Sequence, residues 1–327
     1  TAEAGKFPRI FLPFYHTDRI FILMITQILL QQTIIMFALM LLGLLLSRRG
    51  MITEQGSRDL SNVLLYAVIP CVILRSYMSE FSTEKLRAMG LSALIAVIAF
   101  AASIAVAYLT CGTRHRIENF AVAFGNAGFI GIPLVTAVFG PEAAFYVVSF
   151  STFANLLQWT YGIVIISGKK ETMNLRMVFV NPVFISMVIG IALFVLQPTL
   201  PTVVTGTIGY IADGNTVLAM IILGYYLSKV QLRGLFADAR LYLFSALRLL
   251  VVPAVTILVF LPFPFARGEI TLITLIAAAT PIASSTAIFA QKFDQDYRRA
   301  VSYVCLSTFL SVATLPLVML FAERLLS

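Results

Sequence analysis

Apolar runs of about twenty residues recur along the whole chain. Each is long enough to cross the roughly 30 Å hydrocarbon layer of a bilayer as a helix rising about 1.5 Å per residue. Runs near 21–46, 59–78, 88–111, 117–139, 143–167, 177–197, 203–228, 239–261, 269–291 and 299–323 read as ten spans, the fourth, seventh and ninth interrupted by Gly, Asn, Asp or Pro. Inside a bilayer every backbone polar group needs a partner within the protein, so only helices and closed barrels cross it. Runs of this length are helical. The reading is an all-α polytopic membrane protein of ten transmembrane helices. Composition agrees: 60% of residues are hydrophobic and 12% charged, against about 25% charged in soluble domains. A soluble fold is excluded.

The net charge of +8 raises nucleic acid as a partner, but the Lys and Arg residues lie in short clusters between the runs. No basic stripe with interleaved aromatics exists, so nucleic-acid binding lacks its electrostatic footprint. The clusters instead set sidedness. Fourteen cations fall on the side of Arg48, Arg114, Lys169, Lys229 and Lys292, eight fall on the side of the N-terminus, and Arg248 lies within a span. The heavier side is the cytoplasmic one, which puts both termini outside a multi-pass cell-membrane protein. Residues 1–20 form an N-terminal tail. Because the chain opens at Thr1 rather than Met, 1–9 read as a processing remnant outside the fold.

Internal similarity organises the rest. Gly43 in LLGLLL and Gly190 in VIGIAL are 147 residues apart, and the span prolines Pro133 and Pro281 are 148 apart. Ser151-Thr152-Phe153 returns as Ser307-Thr308-Phe309, 156 residues on. The common order supports two five-helix repeats, 21–167 and 177–327, joined by a short cytoplasmic loop at 168–176. Five is odd, so the repeats insert with opposite orientation, an arrangement found in many secondary transporters.

The most informative stretch is Phe124-Gly-Asn-Ala-Gly-Phe-Ile-Gly-Ile-Pro-Leu134. Three glycines, an Asn and a Pro weaken a continuous helix, since proline lacks the N–H and its ring clashes with the carbonyl four residues back. Such backbone survives at membrane depth only where protein packs it or it lines a cavity. Pro133 suits the first residue of a second half-helix, because its fixed φ is already helical. The ninth span repeats the design in Ala279-Thr-Pro-Ile-Ala-Ser-Ser-Thr286, with Pro281 opening a half-helix that carries Ser284, Ser285 and Thr286. Two half-helix N-termini then face the midplane, where their free N–H groups favour an anion. Glycine and proline also serve plain helix packing in membranes; the pairing of two such breaks at equivalent repeat positions favours a binding site.

Intramembrane polar residues mark function by default. Asp213 falls near the middle of span seven and is too short to reach water, so burial would raise its pKa and suit it to carry a proton. A structural Asp bonded to the Asn215 amide is the plainer alternative. Arg248, about two turns into span eight, is long enough to snorkel to the cytoplasmic interface or to pair with Asp213. Asn155 and Gln158 in span five, and Gln27, Gln31 and Gln32 in span one, read as interhelical hydrogen-bonders, with Asn155 kept as a gating candidate. Cys71, Cys111 and Cys305 form no disulfide or metal pattern, and His16 and His115 have no ligand partners nearby in sequence. No phosphate loop, HExxH or GxSxG occurs. No enzyme, cofactor or metal is expected.

The pattern Asn126-x-Gly128-Phe129-x-Gly131-x-Pro133-Leu134 resembles the auxin efflux carrier family, which spans plant auxin exporters and bacterial malonate- or malate-type carriers. Asn181-Pro182, the run from Arg248 to Pro253, Ala279-Thr280-Pro281 and the segment Phe289 to Lys292 fit it too, and the resemblance covers about 20–325. It implies a fold akin to the bile-acid sodium symporters, with helices four and nine broken and crossing at the substrate site, and an elevator or rocking motion between two bundles. The expected substrate-binding set is Asn126, Gly128, Pro133, Thr280, Pro281, Ser284 and Ser285, with Asp213, Arg248 and Asn155 in coupling or gating. Expected partners are membrane lipid, a small organic anion of auxin-like or dicarboxylate type, a proton or sodium ion for coupling, and a second copy of the chain as homodimer.

Two other functions are weighed. A sodium-coupled organic-anion symporter would need a cluster of carboxylate and carbonyl oxygens at the crossing. A membrane sensor would bind ligand without moving it. The topology is tested by single cysteines at Lys170 and Glu142 in a background lacking the native three. They should label from opposite faces, and labelling of both from outside would rule the topology out.

Overall fold

Apolar sequence and the absence of water inside a bilayer leave the backbone one economical solution, and the computed structural model adopts it. Residues 18–169, 179–230, 232–266 and 268–326 are described. Residues 1–17 of the expected tail and 170–176 of the expected loop lie outside them, whereas 18–20 are helical rather than part of a tail. Among the described residues the chain is almost wholly helical and forms no strand beyond one isolated bridge. In chain order the helices are α1 (Asp18–Arg48), α2 (Glu54–Tyr77), α3 (Thr83–Cys111), α4 (Arg116–Ala123), α5 (Ala127–Phe139), α6 (144–167), α7 (Pro182–Leu196), α8 (Thr202–Ser228), α9 (Leu232–Ala237), α10 (Ala239–Phe260), α11 (Glu269–Ala278), α12 (Ser285–Lys292) and α13 (Tyr297–Leu326).

Six of them, α1, α2, α3, α8, α10 and α13, are long and apolar enough to cross a membrane; α5, α7 and α11 are apolar but shorter. Leu109, Leu196, Val203 and Leu258 are well exposed on the outside of the bundle. A soluble protein would hide so many large apolar side chains. Here they form the lipid face.

The helices pack as two groups. α1, α2, α7 and α8 form one bundle; α3, α4, α5, α6, α10, α11, α12 and α13 form the other, and the two meet along a seam where α1 touches α5 and α13. Small residues make the first bundle tight. A Cβ on Gly224 would lie 2.1 Å from the Met40 carbonyl oxygen, and one on Gly43 would lie 2.5 Å from that of Ile221. The backbones of α1 and α8 therefore touch directly, as small residues allow in membrane helices. Gly190 of α7 permits a different close approach: the Tyr77 ring of α2 packs on it.

Prolines are absorbed by wide turns rather than by breaks alone. Single π-turns at Leu64–Val68, Ala127–Gly131 and Leu247–Val251 are each followed two residues later by Pro70, Pro133 and Pro253. A π-turn shifts the hydrogen-bond register by one residue, which relieves the clash between the proline ring and the preceding turn. This corrects the expectation for Pro133. The half-helix resumes at Ala127, and Pro133 follows its π-turn instead of opening it.

Gly224→Ala should lower stability by about 1–3 kcal/mol, the scale of overpacking. The control Gly206→Ala meets nothing within 4 Å and should be neutral or slightly stabilising. Thermal unfolding of the purified variants in detergent measures both.

Candidate functional site

Two helices stop in mid-protein and restart. α4 ends at Ala123 and α5 begins at Ala127; α11 ends at Ala278 and α12 begins at Ser285. The intervening segments cross and pair as a short antiparallel bridge at Gly125 and Ile282. The Asn126 N–H donates to the Pro281 carbonyl at 2.8 Å, and the Ala283 N–H to the Phe124 carbonyl at 3.1 Å. Pro281 lies in this bridge, four residues before α12 starts, not at the head of the half-helix as expected.

Breaking a helix frees the carbonyls of its last turn, and in a dry interior each needs a donor. Arg248 supplies them for both breaks. Its Nε donates to the Thr280 carbonyl at 3.1 Å and its Nη2 to that of Ala278 at 2.5 Å. Its Nη1 donates to the Val122 carbonyl at 3.3 Å and to the Ser103 hydroxyl at 3.2 Å. Ser103 Oγ in turn donates to the Ala123 carbonyl at 2.7 Å. Arg248 is only 1% exposed. The snorkelling expectation is therefore corrected: freed carbonyls of α4 and α11 hold the guanidinium inside. Gly125 makes room for it, since a Cβ there would fall 1.9 Å from Nη2.

The restarting ends are less satisfied. Asn126 precedes α5 without capping it through its side chain, and its buried Nδ2 has no hydrogen-bond partner. Ser284 precedes α12, also without a side-chain cap, and Ser285 Oγ and Thr286 Oγ1 are buried and unpartnered. Asn215 of α8 donates through Nδ2 to the Gly128 carbonyl at 3.2 Å, leaving its Oδ1 unpartnered. Thr280 is buried and turned back on its own helix end, its hydroxyl donating to the Ala277 carbonyl at 2.6 Å. The crossing thus combines one buried cation, two helix C-termini that the cation compensates, and two N-termini with nearby free donors. Partial charges of about half an elementary unit at each helix end leave the site net positive. The other buried charge among the described residues, Glu118, accepts from Tyr303 at 3.0 Å and lies 3.5 Å from Arg299.

Two cavities open on the seam between the bundles. One, of about 870 Å³, is lined by Val72 and Arg75 of α2, Pro133 and Thr136 of α5, and Asp213 and Asn215 of α8, among others. The second, of about 520 Å³, is lined by Arg58 and Asn62 of α2, Tyr225 and Tyr226 of α8, and Gln291 and Lys292 near the end of α12, among others. They sit toward opposite ends of α2. From Thr216 to Tyr225 along α8 the rise is roughly 14 Å, and buried Ala219, Met220, Ile222 and Leu223 fill that interval.

Of the sequence-predicted residues, Asn126, Gly128, Thr280, Pro281, Ser284 and Ser285 belong to the crossing segments or the turns beside them, Pro133 lines the larger cavity, and Arg248 joins the two breaks. Asp213 and Asn155 do not join them. Asp213 is 66% exposed at the cavity and pairs with Arg75 at 2.5 Å. Its expected burial, its pairing with Arg248 and its bond to the Asn215 amide are all corrected, because its side chain stands in an open cavity rather than among packed helices. Asn155 donates to the Ser151 carbonyl one turn back on its own helix. Gln158 is buried in the π-turn of α6, whereas Gln27 and Gln31 are exposed. Gly125, Ser103 and Asn215 enter as new members. Gly125 stood inside the motif and was legible; Ser103, in a run of small apolar residues, gave no signal.

Gly125→Ala should expel the guanidinium and cost about 3 kcal/mol, the scale of stranding a buried charge. In an Arg248→Ala background the same change should cost much less. Thermal unfolding of the four proteins of this cycle gives the coupling.

A family model described as "membrane transport protein" matches residues 28–319. An uncharacterized transporter of Methanothermobacter thermautotrophicus is 31% identical over 290 residues, 85% of this chain and 93% of the relative. An uncharacterized transporter of Methanocaldococcus jannaschii is 23% identical over 300 residues, 87% of this chain and 96% of the relative. A break motif, a crossing and a match across most of the chain point one way: the protein is a membrane transporter of the membrane transport protein family, the auxin efflux carrier family.

Proposed function

We propose that this transporter is a secondary carrier of a small organic anion, working by alternating access at the crossing of α4–α5 with α11–α12. The supporting observation is the pair of cavities at opposite ends of one seam, with buried Ala219, Met220, Ile222 and Leu223 of α8 in the interval between them. A carrier needs access from each face and a barrier between. Movement of the bundle holding the crossing against α1, α2, α7 and α8, in elevator or rocking fashion, would open one cavity as it closes the other.

The anion class follows from charge. The larger cavity is not itself cationic, since Arg75 and Lys85 face Glu142, Asp213 and Glu269. Selection rests at the crossing, where the N-termini of α5 and α12, the free Asn126 amide and the Arg248 charge favour a carboxylate. The cavity volume, within the usual 300–1,000 Å³ of small-molecule sites, suits an auxin-like or dicarboxylate compound. In this reading the two broken helices count as spans four and nine of ten, the two five-helix repeats are inverted, and both termini lie outside the cell membrane. The larger cavity then faces out. Asp213, paired with Arg75 at that mouth, is a gating residue rather than a desolvated proton carrier.

Uptake of radiolabelled mono- and dicarboxylates into proteoliposomes tests the reading: flux of at least one is expected, and binding without flux would make the protein a sensor. A thermal-shift screen identifies the ligand first, because binding to the folded state stabilises it. Asn126→Ala should then weaken that ligand roughly ten- to hundred-fold, as loss of about 1.5–3 kcal/mol from a hydrogen bond to a charged group requires, with thermal stability nearly unchanged. Equal affinity would remove Asn126 from the site.

A further inference from the structure

Arg248 has an unusual partner set for a buried arginine. Its guanidinium meets the carbonyl oxygens of Val122, Ala278 and Thr280 and the Ser103 hydroxyl, at 2.5–3.3 Å. No carboxylate is among them. Three are main-chain oxygens at or beside the C-terminal ends of two half-helices. Neutral oxygen donors arranged this way, unwound carbonyls beside half-helix C-termini, are the set that holds sodium in broken-helix carriers, as hard cations prefer oxygen ligands.

We propose that the Arg248 side chain is a built-in cation occupying a would-be monovalent metal site at the crossing, so that this position binds no sodium. Several features fit. The guanidinium is planar, permanently charged and carries five donors, enough to satisfy four acceptors from three directions. A compact ion could do the same only by drawing the oxygens inward. Gly125 lies against the guanidinium closely enough that even a methyl group is excluded, so an ion has no room beside it. Ser103, from α3, adds a fourth acceptor and is itself anchored by the Ala123 carbonyl.

An exchangeable cation ties transport to its own gradient. A tethered one compensates the same helix ends yet never leaves, and its charge stays with the moving bundle in both orientations. This consequence for coupling rests on the carrier reading above. The occupancy of the site rests on the contacts of Arg248 alone and is tested without substrate or flux.

The measurement is thermal unfolding of purified protein in detergent, followed by Trp159 fluorescence, in sodium, guanidinium or choline chloride at equal ionic strength. The wild type should melt at the same temperature in sodium and choline. Arg248→Ala should melt several degrees lower in choline, and low millimolar guanidinium or higher sodium should restore part of the loss. Selective stabilisation of the wild type by sodium would overturn the proposal, as would a folded Arg248→Ala indifferent to all three salts. If Arg248→Ala cannot be recovered in any salt, Arg248→Lys decides. It should fold, melt below the wild type and ignore sodium, because one ammonium supplies charge but cannot span the four acceptors. A lysine variant as stable as the wild type, or one stabilised by sodium, would equally overturn it.

Discussion

A helix interrupted inside a bilayer leaves carbonyls that lipid cannot hydrogen-bond, and here one side chain answers for two such helices. Arg248 reaches from α10 to the ends of α4 and α11 and ties both to α3 through Ser103. Without it the Ala278 and Thr280 carbonyls would lose their side-chain donor and Val122 would keep only a long bond from Ser103, and the guanidinium would otherwise be a buried bare charge. Neither is tolerable alone. Together they fix where the chains cross, and the bridge between Gly125 and Ile282 supplies the remaining backbone partners. The half-helix N-termini owe their positions to this junction.

The same junction explains the asymmetry of satisfaction around it. At the C-terminal ends Arg248 and Ser103 answer the Val122, Ala123, Ala278 and Thr280 carbonyls. The N-terminal side keeps Asn126 Nδ2, Ser285 Oγ and Thr286 Oγ1 without partners. Unpartnered buried polar atoms are rare in folded proteins and ask for an explanation. A carboxylate arriving between the restarting ends would meet donors already oriented, with little reorganisation.

The seam is built differently from the bundle interior. Within the first bundle, backbone touches backbone at Gly43 and Gly224, and aromatic ring meets backbone at Gly190. Such contacts are tight and short-range. Between the bundles the packing is interrupted by two cavities. The proposed rearrangement would rest on this contrast, since packed interiors switch between arrangements more readily than they deform continuously.

Much of this was legible in the residues. Hydropathy runs dictated a helical membrane protein because lipid leaves no alternative way to satisfy the backbone. The Gly-Asn-Gly-Pro and Thr-Pro-Ser-Ser stretches marked where two helices break, for they combine weak helix formers with a missing N–H. What the sequence could not decide was the environment of isolated charges. By side-chain length Arg248 could reach water and Asp213 could not, yet the first is sealed among carbonyls and the second stands in an open cavity beside Arg75. The cost of an intramembrane charge depends on what the other helices bring to it, and those partners lie 30 to 145 positions away in sequence. The prolines teach the same lesson locally: Pro133 announced a disturbance, but only the structure placed the break at 124–126 and a π-turn between it and the proline.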